Sequence, residues 1–151
     1  MIIEAVSDDK VAVILLLQQA HHAAGFDDGD NGFSFPFEAA YAERLFLAHL
    51  LSGALCLVLK PEGDMARGVL MAVAAEHPMG PVRIARETVW YIEPSHRGSN
   101  AVKMLDAYEA WARARGCYFV AMAGMGDDPR VAKLYQRRGY HVAERHFLKS
   151  I

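Results

Sequence analysis

Glu93-Pro94-Ser95-His96-Arg97-Gly98-Ser99-Asn100-Ala101 is the stretch on which the reading of this chain turns. Before it runs Thr88-Val89-Trp90-Tyr91-Ile92, β-branched and aromatic as strands favour. After it, Ala101, Met104, Leu105, Tyr108, Trp111 and Ala112 recur at helical spacing. A strand turning through Arg-Gly-Ser into a helix leaves backbone N–H groups unpaired at the helix start. Those donors, the positive end of the helix dipole and Arg97 together suit a phosphate or pyrophosphate. An ordinary strand-to-helix turn with a surface arginine fits the same nine residues, so the rest of the chain has to decide.

Working outward, the helix is expected over 99–115, stopped by Gly116, with a strand over 117–123 apolar enough to be buried on both faces. Asp128-Pro129 starts a final helix, Asp as N-cap and Pro in the first turn, and residues 140–149 alternate as a last strand. Upstream lie strands over 54–60, 66–76 and 82–92. A helix over 37–51 precedes them, offering Ala40, Leu45, Leu47, Leu50 and Leu51 for burial. Before that come a loop rich in turn formers, 25–36, and a helix carrying Val11, Ile14, Leu15 and Leu17, capped by Ser7 or Asp8. Residues 1–6 make a short opening strand. The whole reads as one domain, 1–151, of α/β class: a mixed, mostly antiparallel central sheet of about six strands flanked by four helices.

Composition agrees with a globular domain: 53% hydrophobic and 23% charged residues over 151 positions. The longest apolar run, 11–17, is too short to span a bilayer, and the first residues lack the basic start of a leader. Cys56 and Cys117 are isolated and read as buried strand thiols. A cytoplasmic setting without membrane contact is therefore expected. Charge is uneven, with four Lys/Arg against ten Asp/Glu in residues 1–75 and twelve against eight in 76–151. The basic half suits an anionic ligand and the acidic half a cationic one, or the asymmetry is plain solvation. His21 and His22 are adjacent and diverge on a helix, and no carboxylate–histidine spacing recurs, so no metal is expected.

Three segments, in order, resemble the GNAT acetyltransferase superfamily. They are Trp90 to Ser99 as strand and pyrophosphate loop, Gly116 to Val120 as the next strand, and Ala132 to Tyr140 as a late helix ending in Gly-aromatic. The loop departs from the family's Arg-x-x-Gly-x-Gly/Ala, with Asn100 and Val102 at the two glycine positions. Asn tolerates left-handed backbone, so Asn100 is expected to keep the turn, while Val102 crowds the site. The end of the chain is short for two closing strands, so the family's seventh strand is expected to be missing.

The resemblance implies an acetyl-CoA-dependent N-acetyltransferase, acetyl-CoA being co-substrate, acting by direct transfer in a ternary complex. Main-chain groups of Tyr91, Ile92, Arg97, Gly98, Ser99, Asn100 and Ala101 would bind the co-substrate. Tyr135 matches the family tyrosine that faces the sulfur, its hydroxyl a general acid with an ordinary pKa of about 10; a core aromatic beside Val131 and Leu134 is the alternative. Glu87, interrupting an apolar strand, is the leading general base, against a solvated carboxylate pairing with Arg83 or Arg86; His77 and Glu76 are weaker alternatives. Asp27, Asp28 and Asp30 would attract an ammonium group, with Phe33 or Phe35 covering its apolar part.

The acceptor class is a small-molecule or protein amine, and a homodimer is expected by resemblance. Two rivals remain: a catalytically silent acyl-CoA-binding module, and a nucleic-acid-binding domain using Arg97, Arg113, Arg115, Arg130, Arg137 and Arg138. Scattered arginines and slightly acidic overall charge weigh against nucleic acid.

Overall fold

The computed structural model describes residues 1–27, 33–61, 63, 65–124 and 129–151. Five strands form the sheet among them: β1 (Ile2–Glu4), β2 (Leu55–Leu59), β3 (Gly68–His77), β4 (Gly80–Ile92) and β5 (Cys117–Ala121), in spatial order β1-β2-β3-β4-β5. The first three pairings are antiparallel and β4–β5 is parallel. The helices are α1 (Lys10–Ala23), α2 (Ala39–Ser52), α3 (Ser99–Ala114) and α4 (Pro129–Arg137).

Strand periodicity divides the core in two, because successive side chains leave a strand on opposite faces. Cys56 and Val58 of β2, with Val69 and Met71 of β3, pack under α1 and α2 against Val13, Leu16 and Phe46. Leu55, Leu57 and Leu59, with Leu70 and Ala72, pack under α3 against Met104, Leu105 and Tyr108. Every residue of β2 is buried, as a strand covered on both faces requires. Gly53, with φ of 71°, ends α2 in the left-handed conformation that favours glycine. At the entry to α1, the buried Asp9 carboxylate accepts the Val6 N–H at 3.1 Å and pairs with Lys60 Nζ at 2.6 Å, tying the helix to the end of β2.

Several sequence expectations change. The cap of α1 is Asp9 rather than Ser7 or Asp8, since Ser7–Asp9 closes into a 3-10 turn first. The fully buried residues of α2 are Ala42, Phe46 and His49; Leu45 and Leu50 pack half-buried beside them as expected, whereas Leu51 is 86% exposed. β5 is an edge strand and not a doubly buried one: Tyr118 is 77% and Phe119 58% exposed. Cys117 accordingly is only half-buried, whereas Cys56 is buried. No described residue of 140–151 is in a strand, so the sheet has five strands rather than about six. Pro129 opens α4 as expected, and its proposed cap, Asp128, lies outside the described residues.

Candidate active site

β4 and β5 run together only from Arg83 to Arg86, opposite Cys117 to Ala121. β4 then continues to Ile92 paired with β3 alone. Among the described residues no strand lies beside the edge of β4 from Glu87 to Ile92, and Glu87 stands at the fork. The register with β3 slips there. Ala72 faces Glu87 and Met71 faces Val89, so Thr88 is an extra residue in a β-bulge. A buried histidine of α2 secures the bulge: His49 Nε2 lies 3.1 Å from Thr88 Oγ1, and its Nδ1 lies 2.9 Å from the Leu45 carbonyl. A carbonyl only accepts, so Nδ1 carries the proton and Nε2 accepts from the Thr88 hydroxyl.

Glu87 turns toward the α3 and α4 side. Its Oε2 accepts the Ala123 N–H at 2.7 Å, and neither Arg83 nor Arg86 pairs with it. Burial pushes its carboxyl above the ordinary carboxylate range, partly offset by that hydrogen bond. Tyr135 comes from α4 and donates its hydroxyl to the Ala123 carbonyl at 3.2 Å. Burial first, then the charge of Glu87, push its pKa well above the ordinary tyrosine value, so the hydroxyl stays protonated at neutral pH. The Trp90 ring lies 6.1 Å from that of Tyr135, and its indole N–H is buried without a partner among the described residues.

Five residues past Trp90 the chain makes the turn on which the sequence reading rests. A 3-10 turn, Pro94–His96, leads to Gly98, the N-cap of α3, at φ of 74°. No side chain caps the helix, and a Cβ placed on Gly98 would meet nothing within 4 Å, so the helix start is open. The first helical amides, Ser99 and Asn100, have no carbonyl one turn back to bond. Ala101 differs, because its N–H donates to the Gly98 carbonyl at 3.1 Å. Arg97 donates Nε–H to the Ile92 carbonyl at 2.8 Å and rests over the Tyr91 ring, which fixes its guanidinium beside the open turn.

Asn100 does not hold the turn in left-handed backbone. It is helical, its side-chain amide donates to the His96 carbonyl at 2.9 Å, and Gly98 supplies the positive φ instead. Val102 is 37% exposed on α3. An open, uncapped helix start beside a fixed guanidinium fits a diphosphate.

The loop between α1 and α2 builds a separate corner. Asp27, Ser34, Phe35, Phe26 and Pro36 line a concavity of about 350 Å³ that shares no residue with the fork. The two histidines do not diverge in effect. His22 Nδ1 hydrogen-bonds Asp27 Oδ2 at 2.8 Å, and His21 Nδ1 approaches Oδ1 at 2.6 Å without hydrogen-bond alignment. The His22 hydrogen bond is the main cause holding the Asp27 carboxyl below its ordinary range. Phe26, Phe35 and Phe37 ring the buried His21 at 5.0–5.7 Å, and Phe33 is half-buried. Asp28 and Asp30 lie outside the described residues.

Sequence reasoning thus named Glu87, Tyr135 and the α3 turn. It missed Trp90, the shared partner Ala123, the His49–Thr88 link and the histidines facing Asp27. No helix of the described residues is long and apolar enough to cross a membrane.

This architecture recurs among solved structures. A ribosomal-protein-alanine N-acetyltransferase from Brucella melitensis biovar Abortus 2308 superposes with a TM-score of 0.75 at 17% identity, covering 100% of this chain and 99% of that one. A predicted acetyltransferase with acetyl-CoA from Clostridium acetobutylicum gives 0.78 at 15% identity, covering 99% and 95%. An aminoglycoside acetyltransferase from an uncultured soil metagenomic sample gives 0.72 at 19%, covering 100% and 97%. At such identities the likeness establishes the fold. No curated protein is a recognisable sequence relative. The family model for the acetyltransferase (GNAT) family matches residues 20–140, and the chain belongs to that family.

Proposed function

We propose that this acetyltransferase moves an acetyl group from acetyl-CoA to an amine by direct transfer in a ternary complex. The observation that carries the reading is the unpaired edge of β4, with Glu87 at its fork and the open start of α3 at its far end. Acetyl-CoA supplies an activated thioester. The amides of Ser99 and Asn100, the Gly98 turn and Arg97 hold its diphosphate. Main-chain groups of Tyr91 and Ile92 align its arm. Glu87 accepts the proton the amine must lose, directly or through water, and desolvation makes it a stronger base than a free carboxylate. Tyr135 keeps its proton available for the departing sulfur. Cys56, buried in β2, and Cys117 show no histidine partner among the described residues that would argue for an acyl-enzyme.

The acceptor class is a small-molecule or protein amine; Asp27 with Phe33 and Phe35 supplies an acidic, aromatic corner for a cation. Two free thiols suit the reducing cytoplasm. Nucleic-acid binding is disfavoured because basic groups are already engaged: Arg138 with Asp106 and Glu109, Arg113 with Glu109.

A ligand bound only by the folded state raises the melting temperature. Acetyl-CoA is expected to do so, and free CoA is expected to appear when an amine panel is added. The silent-module reading draws support from Asn100 and Val102, and from the hydrogen bonds that engage both Glu87 and Tyr135 with the backbone of Ala123. Stabilisation by acetyl-CoA without CoA release under any amine would favour it. Absence of both effects would overturn the transferase and the module alike.

A further inference from the structure

The fork presents different chemistry on its two sides. Glu87 turns its carboxylate toward α3 and α4, where it meets Ala123 beside Tyr135. Thr88, the extra residue of the bulge, is exposed and turns its hydroxyl the other way, onto His49 of α2. The Asp27 corner belongs to that second side. Phe37, which rings His21 beside Asp27, packs in the half of the core under α1 and α2. An amine drawn to the corner therefore approaches the fork across Thr88.

His49 determines what that hydroxyl presents. The imidazole is buried and its Nδ1–H is tied to the Leu45 carbonyl at 2.9 Å. Nε2 of the neutral ring can then only accept, and it takes the Thr88 proton at 3.1 Å. A threonine hydroxyl has one proton and two lone pairs. With its proton turned inward, the oxygen shows lone pairs alone to the exposed side. Among the described residues no group donates to it.

We propose that Thr88 binds the acceptor amine, its Oγ1 accepting one N–H, and that His49 is the positioning residue that makes this oxygen a pure acceptor. This role rests on the transferase reading proposed above, and it narrows the substrate to a primary amine. The nitrogen lone pair forms the N–C bond as the C–S bond breaks, one N–H proton passes to Glu87, and the sulfur takes a proton from Tyr135. The second N–H survives in the product amide and stays on Thr88 throughout. A hydrogen bond equally present in ground and transition states lowers KM without changing kcat. A secondary amine has a single N–H, which it must lose, so it cannot fill both places.

CoA release at saturating acetyl-CoA tests this, with the best primary amine of a panel and the N-methyl counterpart of that amine. Wild type is expected to favour the primary amine by at least about tenfold in kcat/KM, since a site built to bond an N–H rejects the analogue lacking it. Thr88→Val keeps the shape and deletes the hydroxyl. It is expected to raise KM for the primary amine by about tenfold with kcat unchanged, and to treat the two amines alike within about threefold. The melting shift produced by acetyl-CoA is expected to stay the same, and Thr88→Ser is expected to restore the preference. His49→Leu added to Thr88→Val is expected to raise KM no further, because the histidine reaches the amine only through the hydroxyl.

A wild type that turns over both amines equally overturns the role of Thr88, and that comparison needs no variant to fold. So does a Thr88→Val protein that keeps the preference, or one whose kcat and acetyl-CoA melting shift fall while KM holds, the mark of a bulge kept for shape alone. A further rise in KM in the double variant overturns the role of His49. A wild type that releases no CoA with any amine overturns the transferase reading itself, and the role of Thr88 with it.

Discussion

Glu87 on β4 and Tyr135 on α4 grip one residue between them. The Ala123 N–H donates to the Glu87 carboxylate at 2.7 Å, and the Ala123 carbonyl accepts the Tyr135 hydroxyl at 3.2 Å. β5 ends at Ala121, so the grip fixes the chain just where it leaves the strand beside the fork. Burial acts on the two groups in a useful way. Both pKa values rise, which strengthens the Glu87 carboxylate as a base and keeps the Tyr135 phenol protonated at neutral pH.

Glu87→Gln keeps an oxygen for the Ala123 N–H and removes the charge. Turnover is expected to fall by about 10²–10⁴-fold, the usual contribution of a general base. Stability should change in the opposite direction. The folded-state carboxyl titrates above its unfolded value near 4.5, so the native state binds more protons between the two values. Its contribution is therefore fully present below pH 4.5 and is lost as pH rises through the raised value. Near neutral pH the glutamine variant should melt no lower than wild type and should lack that pH dependence. Thermal melts between pH 4 and 8 check this, and a variant that melts lower at pH 7 but turns over normally would make Glu87 a structural clamp.

Tyr135→Phe removes the proton donor and leaves the ring beside Trp90 and Tyr140. Losing one hydrogen bond to Ala123 should cost about 1 kcal/mol of stability. The expected kinetic effect is larger: kcat down by about 10²-fold with acetyl-CoA affinity changed less than about threefold. Stopped assays of CoA release alongside equilibrium binding separate the two. A loss of stability with kcat intact would assign the hydroxyl to packing alone.

The turn before α3 was legible in the sequence because glycine, proline and a change of apolar period punctuate it, and these signals are local. Glu87 stood out as a charge in an apolar strand, and Tyr135 by its place in a family segment. The errors came from quantities that no local pattern encodes. α2 is apolar nearly all round, so Leu47 and Leu51 looked as buriable as Phe46, and only packing decides the rotation. Cys117 to Ala121 is as apolar as a central strand, yet being last in the order exposes Tyr118 and Phe119. The Ala123 link and the unpaired Trp90 N–H depend on how β4, β5 and α4 meet, across separations of 12 and 36 residues for the Ala123 bonds alone.

Gly98 tests the open helix start. Its φ of 74° with ψ of −123° is a conformation side chains rarely adopt, and no neighbour crowds a Cβ. Gly98→Ala should thus cost about 1–3 kcal/mol through backbone strain alone. It should also weaken acetyl-CoA, by reorienting the amides that follow. Calorimetric melts with and without acetyl-CoA measure both, and equal ligand-induced stabilisation in the two proteins would remove Gly98 from the binding site.

Trp90 carries a prediction with opposite signs in the free and bound states. Its indole N–H is buried with no partner among the described residues, and an unsatisfied buried donor costs about 1–3 kcal/mol. Phenylalanine keeps an aromatic ring next to Tyr135 and deletes the donor. The free Trp90→Phe protein is accordingly expected to melt at least as high as wild type. With acetyl-CoA the order should reverse, because the indole N–H, on the same strand as the fork, then has a carbonyl to bond and phenylalanine does not. Paired melts with and without saturating acetyl-CoA decide the matter. A variant that loses stability equally in both states would show that the indole only fills space, and a gain that persists on binding would show that its N–H never meets the ligand.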